Sequence, residues 1–460
     1  MNAASRFIVK KGLDLNLSGA PMPMLDSIQT SALIAVHGRE FKNVKPRLLI
    51  EVGDKVKCGT ALYENKVVEE FKVVSPVSGV IKEIVRGERR SIDKILIESS
   101  GDEAIEFPKF TLKSISNSKR EDLIKHLFDT GFIAYIQERP FSKIPIPDSK
   151  PKSIFVNGMA TGPFQPNLTV VIKENEEAFN LGLELLNQLT EGSVHLCLSD
   201  KENKSHELPE VLTNAKAKVH YFGGPHPSGN TSIHIDRIDP FKLGDTIWSI
   251  KGVDLIQIGK LFLNGKIPNE KIICVAGQGV KEDSRKYYNV KLGCSLKDFF
   301  ESILESGEQR IISGDVLSGS QKKADMYMSF SDNGFTVIPE GRERHFLGWM
   351  SAGVNKLSNS RLFASSLLGG KENWRLNTNK NGSLRALVAT GWYDRVMPMD
   401  IYVDVLVKAV LANDFDLAIQ LGILEVAPED FALCTFVCPS KVEIQSIIED
   451  GLNYIEEEGI

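Results

Sequence analysis

Between residues 153 and 199 the apolar side chains change from the spacing of a strand to that of a helix and back again. The strand Ser153-Ile154-Phe155-Val156 runs into the turn NGMATGPFQPN, the helical segment EEAFNLGLELLNQL follows, and SVHLCLS returns to strand. A strand, helix and strand in succession predict a βαβ unit and therefore a parallel sheet. The strand VHYFGG and a segment from Ile247 to Ile258 continue this Rossmann-like α/β domain to about residue 266.

The chain has 460 residues. Single hydrophobic cores stop growing near about 250–300 residues, so several domains are expected. We predict a multi-domain α/β and α+β protein that divides into residues 1–105, 106–266, 267–335 and 336–460. A proline-rich stretch, RPFSKIPIPDSKP, marks a junction that follows the amphipathic helix REDLIKHLFDTGFIAYI.

The first predicted domain contains short strands that glycines interrupt. Val52-Gly53-Asp54-Lys55-Val56 and Ser75-Pro76-Val77-Ser78-Gly79-Val80 resemble the two halves of biotinyl and lipoyl carrier domains. In working carriers an exposed hairpin lysine bears the prosthetic group, and Lys66 lies near that place. Because the usual carrier flanks of that lysine are absent, we expect an unmodified surface lysine on a carrier-like scaffold; a modified Lys66 is the alternative.

The other two predicted domains also have recognisable patterns. YYNVKLGCSLKDFFESI couples a strand to a helix and resembles the soluble-ligand-binding β-grasp module. From Met399 onward the spacing is helical, with Ile444, Ile447, Ile448 and Leu452 on one face. A helical domain is therefore expected to close the chain.

Composition excludes several classes of protein. The net charge of −5 comes without a cluster of basic residues, which argues against nucleic-acid binding. The most apolar stretches fall well short of the ~18–20 residues that cross a bilayer, and the N-terminus lacks the apolar core of a signal peptide. Six scattered cysteines indicate reduced thiols in the cytoplasm.

Six motifs, spread from the first residues to the last thirty, together resemble the A subunit of sodium-translocating NADH:quinone reductases. They are KKGLDL at 10–15, RPFSK at 139–143, GPHPSG at 224–229, GKLFL at 259–263, ISGDVL at 312–317 and CTFVCP at 434–439. The order of domains is also similar to the flavin-binding subunit of respiratory complex I and to the C subunit of Rnf complexes. No single motif is decisive. The resemblance rests on the presence of all six motifs in the same order along the full length of the chain.

Cys434 and Cys438 match only the end of the ferredoxin pattern C-x2-C-x2-C-x3-C-P. The two earlier cysteine positions hold Pro428 and Phe431, and two thiolates cannot complete a four-cysteine cluster. We expect a degenerate iron–sulfur site; the alternative is a metal shared with cysteines of a partner subunit.

A flavin site is also not expected. The complex I relative has acidic residues in the turn after the first strand of this fold, whereas this chain has NGMATGP at 157–163, without any carboxylate. No G-x-G-x-x-G motif follows a strand, so a cradle for phosphates is missing as well. We therefore expect no tightly bound cofactor on this chain, with NADH and the flavins carried by partner subunits.

The resemblance implies that this chain borders the quinone site. Two segments supply an aromatic side chain beside cations, as a quinone cleft requires: His37, Arg39 and Phe41 in one, and Arg139, Phe141 and Lys143 in the other. The alternative is that both phenylalanines only pack and that the cations are surface charges. His226, between two prolines, is a further candidate for a hydrogen bond to a quinone carbonyl, although a histidine in such a turn often caps its own loop.

The resemblance further implies a peripheral subunit on the cytoplasmic face of the bacterial inner membrane. Its partners would be the other subunits of a six-subunit complex, chiefly the membrane B subunit, and its substrate at the level of the complex would be ubiquinone. The competing hypothesis is an Rnf-type electron-transfer subunit that binds flavin, NADH and iron–sulfur clusters itself. The missing carboxylates and cysteines argue against it.

Overall fold

The computed structural model describes residues 5–28, 31–323, 326–343, 348–360, 362–367 and 373–459. The strands are β1 (Ser5–Ile8), β2 (Leu25–Ser27), β3 (Leu33–His37), β4 (Pro46–Leu48), β5 (Lys55–Val56), β6 (Ala61–Asn65), β7 (Lys72–Val74), β8 (Gly79–Arg86), β9 (Ile92–Ser99), β10 (Gln137–Arg139), β11 (Ser153–Asn157), β12 (Ser193–Ser199), β13 (Lys218–Gly223), β14 (Ile247–Lys251), β15 (Glu270–Ala276), β16 (Tyr287–Lys291), β17 (Gln309–Ser313), β18 (Ser320–Lys322) and β19 (Gly334–Pro339).

The α-helices are α1 (Leu112–Ser116), α2 (Arg120–Thr130), α3 (Leu168–Val171), α4 (Glu176–Leu189), α5 (Asp200–Lys204), α6 (Glu210–Thr213), α7 (Thr231–Ile238), α8 (Gly252–Asn264), α9 (Lys297–Ile303), α10 (Tyr393–Val396), α11 (Val403–Leu411), α12 (Phe415–Gln420), α13 (Ala432–Val437) and α14 (Ile444–Glu458). Within the described ranges, no helix is both long and apolar enough to cross a bilayer.

The central sheet has the order β1-β13-β12-β11-β14-β10, with only the edge strand β10 antiparallel to its neighbour. Alternate residues of β11 face opposite sides: Ile154 and Val156 lie in the core beneath α4 and α8, while Phe155 faces the other way. The predicted βαβ unit is confirmed, because β11, α4 and β12 coincide with the three predicted segments.

Strands β1 and β2 pair with strands from later parts of the chain. β1 pairs in parallel with β13 at one edge of the central sheet, and β2 pairs in parallel with β16 in another sheet. An edge strand offers unpaired N–H and C=O groups, and an extended segment of the same chain satisfies them. These two strands therefore lie in sheets other than those of strands β3 to β9, and the predicted domain boundaries stay predictions.

Strands β3 to β9 form a compact part that we call the N-terminal β unit. Its sheets have the orders β3-β9-β8-β5 and β4-β6-β7, and Ile34, Tyr63 and Ile95 from both sheets share one core. Gly53 turns with a φ of +96°, in the left-handed region that favours glycine. Lys66 follows β6 directly, and its side chain is exposed. Its unmodified state stays a prediction.

A mixed sheet of order β18-β17-β19-β15-β16-β2 follows, and we call it the second sheet. Phe300 of α9 is fully buried in the same core as Phe335 of β19 and Ile34 of the N-terminal β unit. The second sheet and the N-terminal β unit are therefore joined by one continuous apolar core.

Helices α10 to α14, the C-terminal helices, pack on the face of the central sheet that Phe155 and Phe222 line. The prediction of a helical end to the chain is confirmed. The protein is thus a mixed α/β chain with several sheets and helices at its C-terminal end.

One predicted helix is shorter than expected. The segment REDLIKHLFDTGFIAYI forms α2 only as far as Thr130, since Gly131 has a φ of +78° and ends the helix. A Cβ at Gly131 would lie 2.5 Å from the carbonyl oxygen of Lys72, so the chain approaches β7 closely there. The end of α2 thereby comes against the N-terminal β unit.

Candidate functional site

A cavity of about 50 Å³ lies where the N-terminal β unit, the end of α2 and the second sheet meet. His37, Glu40 and Phe41 line it from the segment that ends β3, and Phe132 and Phe330 line it from the other two parts. A space of this size holds water but no quinone ring. We call it the junction cavity, and a ring could enter only if its aromatic walls moved.

Aromatic side chains form one wall. The ring of Phe41 meets Phe71 and Phe330 edge to face, with both centroid separations at 5.6 Å. Phe330 also stacks on Tyr135 with its centroid 3.9 Å away. Edge-to-face and stacked rings attract each other in addition to the free energy of burying their apolar surface. These contacts hold the wall together, and separating two of the rings costs little free energy.

Glu40 and His37 add polar groups to the lining of the cavity. Oε1 of Glu40 accepts hydrogen bonds from the backbone N–H of Ser331 at 2.9 Å and from its hydroxyl at 3.3 Å. Loss of hydration raises the pKa of the Glu40 carboxyl to about 7, although the Ser331 N–H opposes this. Burial lowers the pKa of His37, whose Nε2 is buried without a hydrogen-bond partner.

A buried ion pair lies behind Phe330. Nζ of Lys271 is 2.8 Å from Oδ1 of Asp254, and the lysine side chain is 1% exposed. Nζ also donates to the carbonyl of Phe330 at 3.1 Å and lies 4.9 Å from the centre of the Tyr135 ring. This pair holds the backbone of one cavity wall.

The second predicted quinone segment adjoins the first but faces away from the cavity. Lys42 donates to the carbonyl of Phe141 at 3.5 Å, which joins the two segments. The Phe141 ring, however, packs against the core of the C-terminal helices, and Lys143 pairs with Glu456 at 3.2 Å. Phe41 and Phe141 therefore belong to different cores.

The two predicted arginines also lie outside the cavity. Arg39 is exposed and donates to the carbonyl of Glu88 at 3.1 Å. Arg139 is 4% exposed, and its Nη2 donates to the hydroxyl of Ser232 at 2.7 Å, while Nε and Nη1 have no partner.

His226 lies in a different part of the fold. Its Nδ1 is 3.0 Å from the Thr161 hydroxyl, and its backbone N–H donates to Asp14 at 2.8 Å. Burial lowers its pKa. The ring and backbone of His226 therefore tie its loop to Thr161 and to the N-terminal segment, and its proposed hydrogen bond to a quinone stays a prediction.

The cysteine pair is buried in the C-terminal helices. Sγ of Cys438 is 3.0 Å from the Tyr393 hydroxyl and accepts the backbone N–H of Val442 at 3.4 Å. Burial raises the pKa of the Cys434 thiol well above its ordinary value. In the part of the chain that the structure describes, no group of three or more His, Cys, Asp or Glu side chains is placed to hold a metal ion.

Several residues of the cavity were not singled out from the sequence. Glu40 stands between Arg39 and Phe41 in a segment that was chosen for its aromatic and basic residues. A carboxylate at that position was the local feature that could have identified it. Phe330 lines the cavity, and Tyr135 and Lys271 contact Phe330 from outside it. None of the three had a local signal, because these contacts form only through long-range packing.

Three family models match the chain. The NqrA N-terminal barrel-sandwich hybrid domain matches residues 7–100, the NqrA second alpha/beta domain matches residues 118–267, and the NQRA C-terminal domain matches residues 272–324. A solved chain of an NAD+-reducing nickel–iron hydrogenase is 11% identical with a TM-score of 0.38, and the match covers 78% of this chain and 67% of that chain.

Curated relatives match almost end to end. The A subunit of the Na(+)-translocating NADH-quinone reductase of Saccharophagus degradans is 38% identical over 98% of this chain and 99% of its own. The proteins of the same name from Photorhabdus laumondii and Hahella chejuensis are 38% and 36% identical over the same shares. These matches favour the first hypothesis over the Rnf-type one. The chain belongs to the A-subunit family of Na(+)-translocating NADH-quinone reductases.

Proposed function

We propose that this chain, a subunit of a translocase, forms part of the quinone site of its complex at the junction cavity and carries no redox cofactor. It docks on the cytoplasmic face of the membrane, chiefly against the membrane B subunit of a six-subunit assembly, and partner subunits hold the NADH site and the flavins. The observation that carries the quinone role is the junction cavity itself. It combines an aromatic wall with a titratable carboxyl and a neutral imidazole.

The chemistry of a quinone explains why such a wall would suit it. The ring is flat and apolar and needs aromatic or aliphatic contacts, and its two carbonyl oxygens need a few hydrogen-bond donors. Phe41 and Phe330 offer the aromatic contacts, and a protonated Glu40 offers a hydrogen-bond donor. Entry requires the edge-to-face contacts of Phe41 to open, which costs about 0.5–1.5 kcal/mol per pair.

Phe41→Leu in the assembled complex is expected to raise the KM for ubiquinone about three- to tenfold, because leucine keeps most of the volume but loses the ring contact. Phe141→Leu is the matched control, since that ring packs in the other core. Steady-state quinone reduction, with the amount of each subunit verified in every preparation, measures both. Equal KM values for the two variants would place the quinone elsewhere.

Cys438→Ser tests the absence of a cluster. The serine keeps a polar contact to Tyr393 but is smaller, so we expect a loss of about 1–2 kcal/mol in stability and unchanged electron transfer. Thermal unfolding of the chain and NADH-driven quinone reduction by the complex are the two measurements. Loss of electron transfer at normal assembly would show that this thiol serves a redox centre.

A further inference from the structure

Glu40 is the carboxyl of the junction cavity, and the groups around it fix its environment. Asp332 raises its pKa, and Lys322 and Lys271 lower it. Tyr63 and Tyr135 also lie within its electrostatic reach. Their phenols stay neutral near pH 7, because burial raises the pKa of both.

The carboxyl is held by one oxygen. Both hydrogen bonds from Ser331 end on Oε1, so neither occupies Oε2. On the same lining, Nε2 of His37 is buried without a partner. One oxygen is thus held by Ser331, and a proton on the other can pass to a molecule in the cavity that Glu40 and His37 both line.

We propose that the carboxyl of Glu40 is the acid that protonates a quinone oxygen in the junction cavity, and that His37 takes part in its reprotonation. This inference rests on the proposed function. Two electrons from NADH, which the complex supplies, reduce the quinone. The Glu40 O–H bond breaks as a new O–H bond forms on the negatively charged quinone oxygen. The carboxylate left behind regains its proton from water, with the neutral imidazole of His37 as relay.

The electrons and protons that the quinone needs all come from the reactants of the complex and from water. NADH contributes two electrons and one proton equivalent, and water contributes the second proton. A general acid works best when its pKa is near the working pH, and the carboxyl of Glu40 has a pKa of about 7. Turnover should therefore fall as the pH rises through about 7, since the protonated carboxyl is the active form.

The test compares Glu40→Gln and Glu40→Asp in the assembled complex. Glutamine can still accept the Ser331 hydrogen bonds but cannot give up a proton at this pH, so kcat is expected to fall at least tenfold while the KM for ubiquinone changes less than threefold. The fall of kcat above pH 7 should disappear. Aspartate keeps the acid and should recover part of the rate together with the pH dependence. Glu83→Gln, on the exposed side of β8, is the control and should leave kcat unchanged.

The outcomes separate this inference from the proposed function. If Phe41→Leu shifts the KM but Glu40→Gln keeps wild-type kcat and pH dependence, the proton role is overturned and the quinone site stands. If neither variant changes any of these quantities, both are overturned. If Glu40→Gln and Glu40→Asp lose the same share of activity, and both keep the pH dependence of the wild type, the residue is structural and the inference fails.

Discussion

Lys271→Met is expected to destabilise the chain by about 3–5 kcal/mol, because it leaves the carboxylate of Asp254 buried without its cation. The loss should be larger than for most single substitutions, since the Lys271 side chain is 1% exposed. The carbonyl of Phe330 also loses a donor, so the wall of the junction cavity loosens in the same variant.

Lys82→Met is the matched control for that variant. Its ion pair with Glu98 is long, at 3.6 Å, and both side chains are more than half exposed. Exposed pairs of this kind contribute less than about 1 kcal/mol. Because a chain of several domains need not unfold in one step, hydrogen exchange in β15 measures the local effect better than one melting curve.

A second variant separates charge from packing. If the loss comes from the unpaired carboxylate, the double substitution Lys271→Met with Asp254→Leu should recover part of the stability, since a buried ion pair can be replaced by apolar groups of similar volume. Protection of β15 in Lys271→Met equal to that in Lys82→Met would mean that the pair is open to water in solution.

Gly259→Ala is expected to lower the free energy of unfolding by about 3 kcal/mol or more. Gly259 lies on α8 where that helix crosses α4, and an added Cβ would stand 1.8 Å from the carbonyl oxygen of Ala178. The atom it would meet belongs to the backbone, so no side-chain rotation relieves the clash. The two helices would have to separate over the central sheet.

Gly87→Ala is the control, because its Cβ would find no atom closer than 3.3 Å and its φ is an ordinary −92°. Circular dichroism and thermal unfolding of the two purified variants give the comparison. If Gly259→Ala unfolds at the same temperature as Gly87→Ala, α4 and α8 are farther apart in solution than in this structure. The clash also gives a physical reason for glycine at the start of the GKLFL segment.

The sequence by itself determined the local elements. The segments predicted as strand, helix and strand between residues 153 and 199 became β11, α4 and β12, because each has one side-chain period that a short window reveals. The same holds for α14, whose apolar face repeats at helical spacing. The segment of α2 was the exception: Gly131 ends this helix with a φ of +78°, and its missing Cβ allows the close approach to Lys72, which is distant in sequence.

Only the tertiary structure decided which elements meet. Periodicity tells which face of a strand or helix is apolar but not which other face will cover it, so the path of β1 to the edge of the central sheet could not be predicted locally. For the same reason the sequence grouped Phe41 with Phe141, whereas packing put them in different cores. Phe41 and Phe330 are far apart in the chain, yet both pack against the core that contains α2, α4 and α8, and this shared core brings the two rings into contact.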